Sequence, residues 1–233
     1  MPRDRTYEYV RAALALPGCA LCRVEREAVQ RYLDGFMYED VTDVGLRAKM
    51  RAAHGFCHEH AAQAILVRDA LGLAIIYQDI LLSVMKDMQE AAEQRLSPPG
   101  LRRRTGKEPG ERVAERMAAQ QSCPACAVRD EMARPALQSL VANVLDPNLA
   151  PAFTASAGLC LPHFGSAVSA TSTPDALHAL VSHQSDVMAG LAADLAEFIR
   201  KHDYRFTHEA VGGEGTAYLR AIALVTGRLS SDE

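Results

Sequence analysis

Cysteine and histidine carry the metal chemistry open to this chain, and they fall in one pattern used twice. Cys19-Ala20-Leu21-Cys22 is followed about 34 residues later by Gly55-Phe56-Cys57-His58-Glu59-His60. Cys123-Pro124-Ala125-Cys126 is followed at nearly the same distance by Gly158-Leu159-Cys160-Leu161-Pro162-His163. The two copies use all six cysteines of the chain, which random placement would not produce. Thiolates and imidazoles are the first-choice ligands of zinc, and a C-x2-C with a C-x2-H offers four of them. Read copy by copy, Cys19, Cys22, Cys57 and His60 make one Cys3His set, and Cys123, Cys126, Cys160 and His163 make the other. The expectation is two zinc ions per chain. Four protein ligands leave no position for water, so such a site suits structure more than catalysis.

Other chemistries compete for the same residues. Iron–sulfur clusters also accept Cys-rich and mixed Cys/His ligation, and two of them would point to electron transfer or redox sensing. A thioredoxin-like use of either C-x2-C needs a strand before it, and no strand pattern is visible. Neither pair is followed by the His that attachment of c-type haem requires. His58 is an alternative to His60, but C-x2-H is the spacing both copies share. A metal-dependent enzyme would need an open coordination position, as when His60 or His163 does not ligate. His54 reads as a helix-end cation near the negative end of a dipole, and His178 and His183 as solvated residues of a polar face.

Conventional catalysis finds little support. There is no G-x-S-x-G, no phosphate-cradling loop and no H-E-x-x-H, and Gly212-Gly213-Glu214-Gly215 is too short for a nucleotide loop. The carboxylate pairs Asp194/Glu197 and Glu39/Asp40 have no partner that suggests acid–base work. A formal net charge of −4 and a pI near 6.1 argue against a nucleic-acid partner, which would need a basic surplus. The polar, mixed-charge start contains no signal peptide, and the most apolar stretch, Leu71 to Met85, is interrupted by Gln78 and Asp79. The expectation is a cytoplasmic protein without a membrane span, where C-x2-C pairs hold metal rather than disulfides.

These ligands must be positioned by helices. Tyr9, Val10, Ala13 and Leu14 make an apolar stripe ended at Pro17-Gly18, and a second helix from Leu21 to about Asp40 carries Val24, Ala28, Tyr32 and Phe36. Thr42-Asp43 caps a short helix that Gly55 ends, and a long helix over Leu73 to Gln94 presents Ile76, Ile80, Val84 and Met88. Residues 97–110, with three prolines and three glycines, read as a linker. The order then repeats: Glu111 to Gln121, a helix opened by Cys123-Pro124 with a bend at Pro135, a short piece ended by Gly158, and a helix from Pro174 towards His202. Aligned on their cysteines, the copies also match Glu27 with Glu131 and Leu33 with Leu137. The predicted architecture is all-α: two tandem helical modules, 1–96 and 111–200, and a helical cap over 201–233.

Lys201-His202-Asp203-Tyr204-Arg205-Phe206 is the best patch outside the cysteines. It either binds an anion or closes a cleft, or else Tyr204 and Phe206 anchor the tail while Asp203 pairs with Arg205; the second is favoured. Together with the duplicated motifs, this segment resembles a prokaryotic family of uncharacterised proteins known as a domain of unknown function. That family shows a C-P-x-C or C-x-L-C opening, a G-F-C-x-x-H, a second copy of both, and a K-x-D-Y-R-F-type segment near the end. The resemblance implies the architecture and no activity. The functional expectation is a zinc-binding, non-enzymatic interaction module for a protein or small ligand; the alternative is an iron–sulfur or thiolate–zinc redox protein.

Overall fold

A computed structural model describes residues 5–93, 109–206 and 208–227. It is helical throughout, with no strand among the described residues. The helices are α1 (Arg5–Leu14), α2 (Ala20–Gly35), α3 (Val44–Ala52), α4 (His58–Leu66), α5 (Ala70–Glu93), α6 (Pro109–Arg116), α7 (Pro124–Asn143), α8 (Ala150–Thr154), α9 (Leu161–Ala170), α10 (Pro174–Lys201) and α11 (Ala217–Thr226). No helix among the described residues is long and apolar enough to cross a membrane.

Local chemistry explains the boundaries. Asp43 caps α3 by accepting from the Leu46 N–H at 2.7 Å. Thr173 caps α10, with Pro174 pre-set in the first turn and Arg200 and Lys201 at the negative end. α7 runs through Pro135. Ile76 and Ile80 of α5 are buried, whereas Met88 further along is exposed. Residues 97–108 of the expected linker lie outside the described residues, and Pro109 and Gly110 open α6. Residue 207 and residues 228–233 of the expected cap also lie outside them.

The chain forms two compact units, and they are not consecutive in sequence. One comprises Met1–Glu27 with Glu131–Glu233, the other Ala28–Asp130. This differs from the tandem division at 97–110, and the reason is that α2 and α7 each begin in one unit and end in the other. In the first unit Val10, Leu14, Leu21 and Val24 pack with Leu140, Leu149, Phe153, Leu159 and Leu180. The Tyr7 hydroxyl donates to Asp146 at 2.7 Å, tying α1 to the turn after α7. In the second unit Val29, Leu33, Phe36, Met50, Phe56, Ile76 and Ile80 form the core, with Phe36 and Phe56 edge to face at 5.7 Å.

Arg47 and Arg51 of α3 both donate to Asp79 of α5, at 3.2 and 2.6 Å. Burial pushes the Asp79 carboxyl up, but these hydrogen bonds outweigh it and hold the group below its ordinary value. Its stabilisation is therefore present above the unfolded pKa and lost as the pH falls through the lowered one. Asp79→Asn should lower stability by about 1 kcal/mol at pH 7, and urea titrations of variant and parent should converge on acidification. An equal gap at both ends of the pH range would show that charge is not what Asp79 contributes.

Candidate metal centres

Each ligand motif sits at the start of a helix. The Cys19 and Cys123 carbonyls accept the first-turn hydrogen bonds of α2 and α7, from Arg23 at 3.1 Å and Cys126 at 3.0 Å. Cys57 and Cys160 cap α4 and α9, so the histidine three residues on returns to the same helical face. The cysteine sulfurs thus lie at helix N-termini, where free N–H groups and the dipole favour negative charge.

The loops that lead into Cys57 and Cys160 depend on glycine. Gly55 has φ +90° and Gly158 φ +72°, and a Cβ would lie 3.2 Å from the Tyr77 ring or 3.0 Å from Gln184 Oε1. A side chain then grips each loop, fully buried at Gln184 and half-buried at Tyr77. Gln184 of α10 accepts from the Leu159 N–H and donates to the Leu159 carbonyl, both at 2.9 Å. Tyr77 of α5 accepts from the backbone of Phe56.

The ligand motifs combine across the copies. Cys19 and Cys22 meet Cys160 and His163 (centre I), and Cys57 and His60 meet Cys123 and Cys126 (centre II). In each centre the four donor atoms lie within 4.8 Å of one another and can hold a metal ion. The copy-by-copy sets expected from the sequence, Cys19/Cys22/Cys57/His60 and Cys123/Cys126/Cys160/His163, do not form. α2 and α7 account for this: a helix of 16 residues carries the chain about 24 Å before the C-x2-H of the same copy is reached.

The spacing within each centre is regular. Cys22 Sγ lies 3.6 Å from Cys160 Sγ, and Cys57 Sγ 3.7 Å from Cys126 Sγ. His163 Nδ1 is 3.5, 3.3 and 3.2 Å from Cys19, Cys22 and Cys160. His60 Nδ1 is 3.3, 3.5 and 3.4 Å from Cys57, Cys123 and Cys126. Ligands at zinc–sulfur and zinc–nitrogen distances of roughly 2.3 and 2.0 Å on a tetrahedron would be separated by about 3.8 Å between sulfurs and about 3.5 Å between sulfur and nitrogen. The donor set therefore fits one tetrahedral ion per centre.

Without a cation the thiols work against each other. Hydrogen bonds from Cys160 and Cys22 hold Cys19 far below the ordinary thiol range, while the same kind of bonds to Cys160 and Cys19 drive Cys22 far above it. In centre II burial, and then hydrogen bonding to Cys57, pushes Cys126 up to about 12. Burial opposes the charged form of His163, but Cys160, Cys19 and Glu25 raise it to about 12. A positive charge at the centre of such a cluster would relieve this conflict.

Three participants escaped the sequence reading. Glu25, buried on α2, lies 2.9 Å from His163 Nε2 and turns the opposite ring nitrogen towards the sulfurs. The Cys22 thiol donates to the Gly227 carbonyl at 3.1 Å, so the end of α11 closes over centre I. Gln184 is the third. Glu25 could have been found three residues past Cys22, one helical turn on; Gln184 and Gly227 leave no local signal. In centre II the position matching Glu25 is Arg129, which pairs with Asp130 at 2.8 Å.

The remaining candidates are placed as follows. His183 is buried, against the expectation of a solvated face: it meets Ser156 Oγ at 3.3 Å and the Phe153 ring edge, and burial lowers its pKa. His58 and His178 are exposed. His54 follows α3 with φ +54°. In 201–206, Arg205 pairs with Asp203 at 2.8 Å and lies over the Phe206 ring, as does Arg200. Tyr204 is 83% exposed and does not anchor the tail. Lys201 reaches Glu214 at 2.6 Å.

The sequence profile of a family of unknown function, DUF6062, matches residues 11–232. A stretch of 65 residues, 28% of this chain, is 38% identical to the "Uncharacterized 23.9 kDa protein in xynA 3'region" of Caldicellulosiruptor sp. (strain Rt8B.4), of which it covers 32%. The chain thus spans about a third of that curated relative's length. No solved structure matches.

The crossed pairing is open to a direct test in the full chain. Cys22→Ser with Cys160→Ser should remove one metal and leave one, because both residues serve centre I. Cys22→Ser with Cys57→Ser should remove both, and the opposite pattern by elemental analysis would restore copy-by-copy pairing. Glu25→Gln should weaken metal at centre I by about 10- to 100-fold, read by competition with a chromogenic chelator. Equal weakening at both centres would show that Glu25 acts on the fold as a whole.

Proposed function

The chain belongs to the DUF6062 family, and we infer that it is a non-enzymatic helical binding protein whose fold is held by two structural zinc ions. The observation that carries this is the spacing of the donors, all within 4.8 Å in each centre. Ligands to an iron–sulfur cluster bind separate irons and stand further apart than ligands sharing one ion. Cys19, Cys22, Cys160 and His163 would hold one zinc, and Cys57, His60, Cys123 and Cys126 the other. Four protein donors close each tetrahedron, which supports a structural role and leaves no coordination position for substrate. Uncrosslinked thiolate centres also suit a reducing compartment, so we place the protein in the cytoplasm.

Protein purified without oxygen or added metal should contain two zincs per chain and show no visible absorbance. Iron with acid-labile sulfide and a brown solution would overturn the assignment in favour of a redox protein. Apparent zinc free energies of about 10–16 kcal/mol equal or exceed the stability of an ordinary domain. Cys160→Ser should therefore lose one zinc and melt far below the parent, and an unchanged melting temperature would rule out a structural role for that ion.

A further inference from the structure

α5 is apolar on two faces. One buries Ile76 and Ile80 in the core of the second unit. On the other, Leu71, Leu81, Leu82, Met85 and Met88 stand 45–72% exposed, although a helix that is apolar all round belongs in an interior. From Ala70 to Met85 the helix holds one charged residue, Asp79, and Arg47 and Arg51 of α3 already meet it. The five exposed side chains offer roughly 500 Å² of apolar surface, in the range of the largest patches on soluble monomers and the larger part of the ~800 Å² that each partner buries in a standard interface.

The exposed face has a period of its own. Leu71, Ile75, Gln78, Leu82, Met85 and Gln89 follow one another in alternating steps of four and three, the heptad spacing that keeps a seam turned towards a second helix. Ile75 is half-buried and the other five are exposed. Ala74, Leu81 and Met88 lie along one flank of this seam, and on the other Lys86 stays in solvent, 3.8 Å from Glu90. A bilayer surface fits less well. It requires no heptad period, it would leave Gln78 amid apolar groups, and α5 carries a single basic residue where membrane-bound helices carry a basic face.

A second copy of α5 matches the seam. In an antiparallel pair with its two-fold axis at the level of Ser83 and Val84, Leu82 of one copy meets Met85 of the other. Gln78 then meets Gln89, and each amide can both donate and accept. Leu81 falls beside Met88 on the apolar flank. A shift of one heptad would set the glutamines against Leu82 or Met85, so the polar pair fixes the register. In a parallel pair Leu81 would face Lys86 instead. We propose that the exposed face of α5 is the interface of a two-fold symmetric, antiparallel dimer of this chain.

The test is sedimentation equilibrium of the full, metal-loaded chain from about 1 to 100 µM. The mass should rise towards twice 25.3 kDa. Leu82→Glu and Met85→Lys should each raise the dimer dissociation constant at least about 100-fold, since the two-fold axis makes each change count twice. Both side chains are exposed, so metal content and helicity should stay as in the parent. Combined in one chain, the two changes oppose a carboxylate and an ammonium at both central layers of the antiparallel pair, and the dissociation constant should fall at least about tenfold below that of either single variant. A parent that remains at 25.3 kDa throughout overturns the proposal, and binding of that monomer to vesicles of phosphatidylcholine and phosphatidylglycerol would give the face to a lipid surface. A dimer unchanged by Leu82→Glu lies on another face of the chain. A double variant that associates no better than the single ones overturns the antiparallel register.

Discussion

Three thiols and an imidazole brought within 4.8 Å cannot all take their metal-binding forms unless a cation sits among them. That constraint governs both units. Hydrogen bonds to the other cysteines lower Cys19 and raise Cys22, and a divalent ion would remove that conflict while using every donor. The ion pairs are mostly at the surface, where each contributes at most about 1 kcal/mol.

Loop length does not explain why the motifs cross. Cys22 and Cys160 are 138 positions apart, against 35 for Cys22 and Cys57. Closing the longer loop costs only about 1 kcal/mol more, because closure entropy grows with the logarithm of length. That is small beside about 10–16 kcal/mol for structural zinc. Rigid helices decide instead. α2 and α7 each start from a C-x2-C and lead the chain away from it, so each half of the sequence gives its cysteine pair to one centre and its C-x2-H to the other. Two intertwined half-chains that exchanged an element and were then joined would show this provenance of ligands.

The paths of the helices also set what the sequence could and could not disclose. Helix starts were legible because caps are local: Asp43 and Thr173 act within three residues, and Gly55 and Gly158 mark left-handed turns. The ligand types were legible because metal chemistry permits few of them. Pairing was not, because two equivalent copies make both pairings equally consistent with spacing, and only the path of α2 and α7 distinguishes them. Gln184 and Gly227 act across 25 and 205 positions, and no periodicity reports such contacts. His183 looked solvated because its neighbours in sequence are polar, yet Phe153 and Ser156 reach it from another segment.

Duplication supplies two centres but not two equivalent ones. The imidazole of centre I is backed by the carboxylate of Glu25, which adds negative charge and fixes the ring; the matching residue in centre II is Arg129, which turns to Asp130 instead. The end of α11 lies against centre I, with a Cβ at Gly227 only 3.4 Å from Cys160 Sγ, and α11 comes from the part of the chain that the repeat does not include. A cavity of about 710 Å³ also borders centre I. An ion there would fix cysteines that are at once its ligands and part of the cavity wall. Centre II instead borders the core of its unit, whose buried cluster includes Cys123 together with Phe56 and Ile80. The two centres thus differ in what surrounds them while keeping the same types of candidate ligand.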